Sequence, residues 1–121
     1  MRIIILDDEP NIVNGLCFLI GKFNIPRCET LPFTDPEEAL KELKEKGADL
    51  VIVDINMPLM SGLSFIEEAS KKDDIPFVIL SGYNDFSYAQ QAIHLKVKEY
   101  LIKPVDETAL LKIITDTFEE I

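Results

Sequence analysis

The sequence predicts an α/β fold in which a doubly wound, five-stranded parallel sheet is flanked by five helices. Short apolar runs alternate along the chain with helix-length stretches whose apolar residues recur every three or four positions. Runs that are apolar at nearly every position are typical of parallel strands covered on both faces. Because strand and helix alternate, we expect right-handed crossovers that place helices on both faces of the sheet.

Each strand is predicted from its own apolar run, and each run is short enough for a strand rather than a helix. The strand at residues 27–31 rests on the weakest pattern of the five. The four clearer runs are residues 3–6, 50–53, 77–80 and 100–102.

The helices are predicted from apolar stripes with helical spacing. Two of the helices are predicted at residues 63–71 and 86–95. Asp35 and Pro36 mark the start of another, because aspartate is a good N-cap and proline suits the first helical position. Gly47 is predicted to end that helix. The stripes of the remaining helices are Ile12, Val13, Leu16, Leu19 and Ile20; Ala39, Leu40 and Leu43; and Leu110, Ile113, Ile114 and Phe118.

Length, charge and cysteine content limit the classes of function. The 121 residues suffice for one domain, residues 1–121, with a single sizeable core. The net charge is −10, so we expect no direct binding of nucleic acid or of an anionic membrane surface. No apolar run reaches the ~18 residues of a membrane span, and the opening apolar residues are too few for a signal peptide. We therefore expect a cytoplasmic domain in which Cys17 and Cys28 are reduced and buried.

Polar side chains follow four of the five predicted strands. Asp7 and Asp8 follow the first, Asp54 ends the third, Ser81 follows the fourth and Lys103 follows the fifth. Because ligands of open parallel sheets bind beyond the carboxyl ends of the strands, we expect these groups in one cleft. Carboxylates brought this close repel one another, which raises the pKa of at least one of them unless cations intervene. Carboxylate oxygens suit Mg2+, and a metal beside a carboxylate and a lysine is suited to a phosphoryl group that the carboxylate attacks.

Four motifs in the chain resemble those of the receiver domain of two-component response regulators, and the resemblance covers essentially the whole chain. The specificity comes from all four occurring in this order and at these spacings. The resemblance implies a flavodoxin-like sheet with strand order 2-1-3-4-5. Residues 81–89 are similar to a branch that often carries an AraC-type DNA-binding domain. The motifs are Leu6-Asp7-Asp8-Glu9-Pro10, Asp54-Ile55-Asn56-Met57-Pro58-Leu59-Met60-Ser61-Gly62, Leu80-Ser81-Gly82-Tyr83 and Tyr100-Leu101-Ile102-Lys103-Pro104.

The resemblance implies roles for the side chains at the strand ends. Asp54 matches the phosphoacceptor, and Lys103 matches the phosphate-binding lysine of the family. Ser81 matches the switch hydroxyl. Asp8 matches a direct ligand of the metal, and Asp7 matches the acid that holds the metal through water.

Three further positions match the family pattern, and two positions depart from it. Asn56 matches the residue whose backbone carbonyl completes a site for Mg2+, which Mn2+ can replace. Tyr100 matches the switch aromatic, and Pro104 follows a peptide bond that is cis in the family. Lys96 stands where the family usually has glycine at the end of the fourth helix, and Ser61 stands where aspartate is common.

The resemblance implies a phosphorylation-dependent signalling switch rather than a turnover enzyme acting on an external substrate. A sensor histidine kinase would supply the phosphoryl group. Phosphorylation would change the surface formed by the predicted fourth helix, fifth strand and fifth helix. That surface would control an effector of transcription, such as a C-terminal DNA-binding domain beyond Ile121. A phosphorylation-dependent dimer is left open.

Two other classes of function remain at this point. A pseudo-receiver would keep the fold as a docking module, although it has no need of Asp8, Asp54, Ser81 and Lys103 together. A metal-dependent phosphatase with an aspartate nucleophile usually has a second acid two residues further on, where this chain has Asn56. A phosphodonor supplied with and without Mg2+ separates the three classes. A switch gains one stable phosphate, a pseudo-receiver gains none, and a phosphatase turns the donor over.

Overall fold

One five-stranded parallel sheet forms the centre of the molecule, in a computed structural model that describes residues 1–71, 74–82 and 97–121. The predicted fold class and strand order are confirmed, because every neighbouring pair of strands is parallel. The strands are β1 (Arg2–Leu6), β2 (Glu29–Phe33), β3 (Leu50–Asp54), β4 (Phe77–Ser81) and β5 (Glu99–Ile102), and their order in the sheet is β2-β1-β3-β4-β5.

Four helices lie among the described residues, and the predicted helix at residues 86–95 lies outside them. The predicted start of the second helix is confirmed, because the Asp35 side chain accepts a hydrogen bond from the amide of Glu37. Its predicted stop is also confirmed, since Gly47 caps the helix at a φ of 72°. The helices are α1 (Pro10–Lys22), α2 (Pro36–Lys46), α3 (Gly62–Ala69) and α4 (Glu107–Glu120).

The second strand begins two residues later than predicted. Arg27 has a φ of 55°, which lies in the left-handed region and cannot belong to a strand. Its carbonyl instead accepts a hydrogen bond from the amino group of Met1. Strand β2 therefore starts at Glu29, whose amide donates to the carbonyl of Met1.

The two faces of the sheet carry separate hydrophobic cores, because successive strand residues point to opposite faces. One core joins alternate residues of β1, β3 and β4 to α2 and α3, and the other joins the remaining residues to α1 and α4. Every residue of β3 and β4 is buried, whereas the edge strands β2 and β5 are partly exposed. The polar residues that end the two buried strands, Asp54 and Ser81, are therefore buried as well.

The two cysteines are free, as predicted, but they are only partly buried. Cys17 and Cys28 lie at the margin of the core beneath α1 rather than inside it. Burial raises the pKa of the Cys28 thiol, and the nearby amino group of Met1 opposes that shift. Across the described ranges, no helix is long and apolar enough to cross a membrane.

Candidate functional site

Two neighbouring aspartates at the end of β1 have opposite environments. Asp7 is fully buried, and its Oδ1 accepts a hydrogen bond from the amide of Glu9 at 3.0 Å. Its own amide donates to the carbonyl of Phe33, which ties the end of β1 to the end of β2. Asp8 is exposed, and no described residue forms a hydrogen bond or an ion pair with its carboxylate. One carboxylate is therefore fixed in place, and the other is open to solvent.

The two central strands place Asp54 and Ser81 at the same edge of the sheet. Asp54 lies beside Leu80 in the register of β3 and β4, and its side chain is 5% exposed. The next amide, that of Ile55, donates to the carbonyl of Leu80 at 2.9 Å. Ser81 is buried, and its carbonyl accepts a hydrogen bond from the amide of Lys103 at 2.7 Å. The end of β4 therefore anchors both the acid and the lysine that follow its neighbouring strands.

The ammonium group of Lys103 bridges the two buried carboxylates, those of Asp7 and Asp54. Its Nζ lies 2.9 Å from Oδ2 of Asp7 and 3.0 Å from Oδ1 of Asp54. The peptide bond between Lys103 and Pro104 is cis. The lysine side chain is 22% exposed, so the cation is partly shielded from water while it contacts both acids.

Three carboxylates meet beside this lysine. One oxygen from each of Asp7, Asp8 and Asp54 lies within 4.8 Å of the others. A set of ligands made only of oxygen fits a hard divalent cation such as Mg2+, which keeps several of its waters. The exposure of Asp8 leaves the cluster open to solvent on one side, so a hydrated ion has access to it.

The electrostatics of the cluster follow from burial and from the shortage of positive charge. Burial raises the pKa of Asp54, the hydrogen bond from Lys103 opposes this, and the charges of Asp7 and Asp8 add to the rise. The predicted rise in a carboxyl pKa is confirmed, but burial contributes more than the neighbouring acids do. For Lys103, burial favours the neutral amine, but its hydrogen bonds to Asp7 and Asp54 and the negative charges of these two acids together outweigh burial and raise the pKa.

Two further residues were predicted to take part in the site. Asn56 is exposed, two residues beyond Asp54. Tyr100 lies in β5 beside Ile79 and packs, partly buried, against the core beneath α2 and α3. Its hydroxyl oxygen is buried and has no hydrogen-bond partner among the described residues. The structure thus groups Asp7, Asp8, Asp54 and Lys103, with Ser81 on the neighbouring strand end.

Gly62, the first residue of α3, has a part in the site that its sequence motif alone did not indicate. A Cβ atom built on Gly62 would lie 2.4 Å from the carbonyl oxygen of Asp54. A signal was present in the sequence, since glycine is a poor helix former and stands just inside a helix start. The size of the space beside a residue cannot be read from a sequence, so only the structure shows this contact.

Comparison with known proteins identifies relatives over almost the whole chain. The chain is 30% identical over 121 residues to the transcriptional regulatory protein YesN of Bacillus subtilis, covering 99% of this chain and 33% of YesN. It is 35% identical over 111 residues to the transcriptional regulatory protein HptR of Staphylococcus aureus, covering 90% of this chain and 43% of HptR. The chain therefore spans less than half the length of either regulator.

Solved structures and a family model also match almost the whole chain. A response regulator receiver domain protein from Clostridium thermocellum is 30% identical and superposes with a TM-score of 0.88, covering 98% of this chain and 94% of that one. A LuxR-family DNA-binding response regulator from Staphylococcus aureus is 28% identical with a TM-score of 0.84, covering 96% and 97%. Residues 3–115 match the model of the response regulator receiver domain. On this match and on its fold, the chain belongs to the family of response regulator receiver domains.

Proposed function

We propose that the domain is a phosphorylation-dependent switch in which Asp54 accepts a phosphoryl group from a phosphohistidine of a sensor histidine kinase. One observation carries this proposal: the Lys103 ammonium bridges Asp7 and Asp54 inside a cluster of three carboxylates. A nucleophilic carboxylate beside a fixed cation is the arrangement that phosphoryl transfer requires. A docking module without chemistry has no need to bury two charged acids at the ends of its strands.

In the proposed reaction, a carboxylate oxygen of Asp54 attacks phosphorus in line with the departing imidazole. The phosphorus–oxygen bond forms as the phosphorus–nitrogen bond breaks, and the imidazole nitrogen keeps the bonding electron pair. The burial of Asp54 at the end of β3 holds the nucleophile in one direction, which lowers the entropic cost of the attack. Lys103 lies close enough to Asp54 to contact an oxygen of the incoming phosphoryl group.

We assign the binding of Mg2+, or of Mn2+ in its place, to Asp8, Asp54 and the backbone carbonyl of Asn56. Asp8 suits a direct ligand because its carboxylate is exposed and has no hydrogen-bond partner among the described residues. Asp7 suits an indirect role through water, since both of its oxygens already accept hydrogen bonds. When bound, the ion supplies positive charge that offsets the charge of the phosphoryl oxygens.

The output would run from Ser81 to Tyr100 and then to the surface formed by β5, α4 and the predicted helix at residues 86–95. A phosphoryl group on Asp54 would draw the Ser81 hydroxyl towards it, which vacates space beside β4. Tyr100 on the neighbouring strand β5 would turn into that space. The backbone hydrogen bond between Ser81 and Lys103 supports this coupling, because it joins the ends of β4 and β5 directly.

The partner of this output surface is proposed to be an effector that regulates transcription. Two longer relatives are named as transcriptional regulatory proteins, and a DNA-binding domain beyond Ile121 would fit that role. We extend the proposal to a cytoplasmic location, since a bacterial transcription regulator acts where the DNA is. A dimer that forms on phosphorylation is one way in which the output surface would act. The domain itself is proposed to turn over no external substrate.

The test is phosphorylation by phosphoramidate, a small phosphodonor, followed by measurement of the intact mass. The wild-type domain should gain one phosphate in the presence of Mg2+ and almost none when the metal is chelated. Asp54→Asn, which keeps the shape but removes the nucleophile, should gain none. A wild-type domain that gains no phosphate would identify a pseudo-receiver. Continuous consumption of the donor without a stable adduct would identify a phosphatase.

A further inference from the structure

We propose that Gly62 is a positioning residue for Asp54. Its missing side chain lets the start of α3 pack directly on the peptide between Asp54 and Ile55. This contact fixes the Asp54 carboxylate and the Asn56 carbonyl relative to Lys103. The inference rests on the proposed function, because it concerns the metal site and the nucleophile of that same reaction.

The contact is close and involves backbone atoms on both sides. A Cβ on Gly62 would lie 2.4 Å from the carbonyl oxygen of Asp54 and 2.8 Å from Cα of Ile55. Side-chain atoms can rotate away from such a clash, but these backbone atoms cannot. The amide of Gly62 also donates a hydrogen bond to the carbonyl of Ile55 at 3.0 Å. The helix start is therefore held against the end of β3.

The reason for glycine at this position is space and not conformational freedom. Among the described glycines, only Gly47 has a φ in the left-handed region. Gly62 therefore has a backbone conformation that alanine also adopts. Alanine would even be the better helix former, so helix propensity alone favours its replacement. What alanine lacks is the room for its methyl group.

Neither side of the contact can withdraw without losing interactions. On the strand side, the amide of Ile55 donates to the carbonyl of Leu80 at 2.9 Å. On the helix side, Phe65 and Ile66 are fully buried, and they lie on the same face of α3 as Gly62 because they follow it by three and four residues. Lifting the helix would expose both side chains, and moving the strand end would break the hydrogen bond to β4.

A methyl group at position 62 should therefore displace the Asp54–Ile55 peptide. Cβ atoms essentially never approach other heavy atoms closer than 3.0 Å, so the 2.4 Å contact requires a shift of about 0.6 Å. This peptide lies between the Asp54 side chain and the Asn56 carbonyl along the chain. Because misplacement by ~1 Å can slow a reaction by about 100-fold, we expect about a tenfold loss here.

The experiment compares Gly62→Ala with two matched controls. Gly21→Ala adds the same methyl group in α1, where a Cβ would meet nothing within 4 Å. Ile66→Val removes a buried methyl group from α3 itself and lowers stability while leaving glycine at position 62. Three quantities are measured: amide chemical shifts in metal-free protein, Mg2+ affinity by NMR titration, and the rate of phosphorylation by phosphoramidate.

Gly62→Ala should move the amide signals of Ile55 and Asn56 in metal-free protein. It should also weaken Mg2+ binding and slow phosphorylation, each by about tenfold. Gly21→Ala and Ile66→Val should leave both functional quantities within about twofold of wild type. The measurements are repeated in a Gly21→Ala background, which adds helix stability and keeps the folded fraction high.

The inference is overturned if Gly62→Ala matches Ile66→Val, with lower stability but unchanged Mg2+ affinity and phosphorylation rate. That outcome would make Gly62 a purely structural residue. Failure of the proposed function gives a different result, because the wild-type domain itself would then gain no phosphate from phosphoramidate.

Discussion

The ammonium nitrogen of Lys103 lies 3.0 Å from Oδ1 of Asp54, and the same nitrogen also contacts Asp7 at 2.9 Å. One cation thus serves two buried carboxylates, while the third acid of the cluster, Asp8, has no ion-pair partner among the described residues. Positive charge is scarcer than negative charge at this edge of the sheet. Any cation that enters the cluster therefore meets both attraction from the acids and repulsion from Lys103.

Replacing Lys103 with glutamine should strengthen Mg2+ binding and slow phosphorylation. The neutral side chain removes a positive charge that repels the ion, so we expect affinity to rise several-fold. Phosphorylation by phosphoramidate should slow by about 100-fold or more, because a fixed positive charge near the transferring oxygens is lost. NMR titration gives the affinity, and intact-mass measurements over time give the rate.

The control for this prediction is Lys112→Gln, since Lys112 pairs with Asp116 on the exposed side of α4. Lys112→Gln should change neither the Mg2+ affinity nor the phosphorylation rate, because surface ion pairs are weak and this one lies outside the carboxylate cluster. Weaker binding of Mg2+ by Lys103→Gln than by wild type would show that Lys103 does not compete with the metal.

Asp54→Asn should raise the thermal stability of metal-free protein at neutral pH. Burial and the neighbouring acids raise the pKa of Asp54, so its ionised form destabilises the native state. The asparagine side chain carries no charge and avoids this cost. An effect of about 1 kcal/mol corresponds to roughly 3–5 °C for a domain of this size. Calorimetric melts in the presence of a chelator measure it.

The pH dependence of the stability difference between Asp54→Asn and wild type gives a sharper test. Because the native pKa of Asp54 lies above the unfolded value, the native state keeps its proton to higher pH than the unfolded chain does. The Asp54 contribution to stability therefore falls as pH rises from the unfolded value through the native one. The advantage of Asp54→Asn should be present at neutral pH and should vanish below the ordinary carboxyl pKa. An advantage that stays constant down to acidic pH would contradict the electrostatic explanation.

Asp8→Ala should abolish the stabilisation that Mg2+ gives to the domain. At a Mg2+ concentration about ten times the dissociation constant, binding adds about 1.4 kcal/mol to the free energy of unfolding. Without the exposed carboxylate of Asp8, this gain should fall close to zero. Glu9→Ala is the matched control, because Glu9 is the next exposed acid and lies outside the carboxylate cluster. If both variants keep the full gain, Asp8 is not a ligand.

The sequence was sufficient to predict which side chains meet, because parallel strands bring their carboxyl ends to one edge of the sheet. Asp54 and Lys103 are 49 positions apart in the sequence. Asp54 nevertheless ends, and Lys103 directly follows, a strand with a clear apolar pattern. The different environments of Asp7 and Asp8 were not predictable. They depend on how the chain turns after β1 and on the Glu9 amide that holds one carboxylate.

Contacts at the amino ends of the strands were also not predictable from the sequence. The Arg2 side chain reaches Glu42 and the carbonyl of Gly47, and its amide donates to Asp49 at 2.7 Å. No local pattern identifies these partners, because they come from a helix end and a loop about 40 to 47 positions away. The late start of β2 is similar, since it depends on the left-handed conformation of Arg27.

Tyr100→Phe should stabilise the unphosphorylated domain and weaken its output. The Tyr100 hydroxyl oxygen is buried and has no hydrogen-bond partner among the described residues, a situation that costs about 1–3 kcal/mol. Removing the hydroxyl should therefore raise the free energy of unfolding by about 1 kcal/mol. The same cost favours any state in which the hydroxyl finds a partner, and the proposed rotation of Tyr100 provides such a state.

The measurement is an NMR comparison with and without beryllofluoride, a mimic of the phosphoryl group. In wild type, the mimic should shift signals at the carboxylate cluster and also along β5 and α4. In Tyr100→Phe, the shifts at the cluster should remain, because binding depends on Asp54 and Lys103, whereas those along α4 should shrink. Ser81→Ala should also shrink the distant shifts, since Ser81 precedes Tyr100 in the proposed route. Unchanged distant shifts in both variants would exclude this route, because the signal would then reach α4 without either side chain.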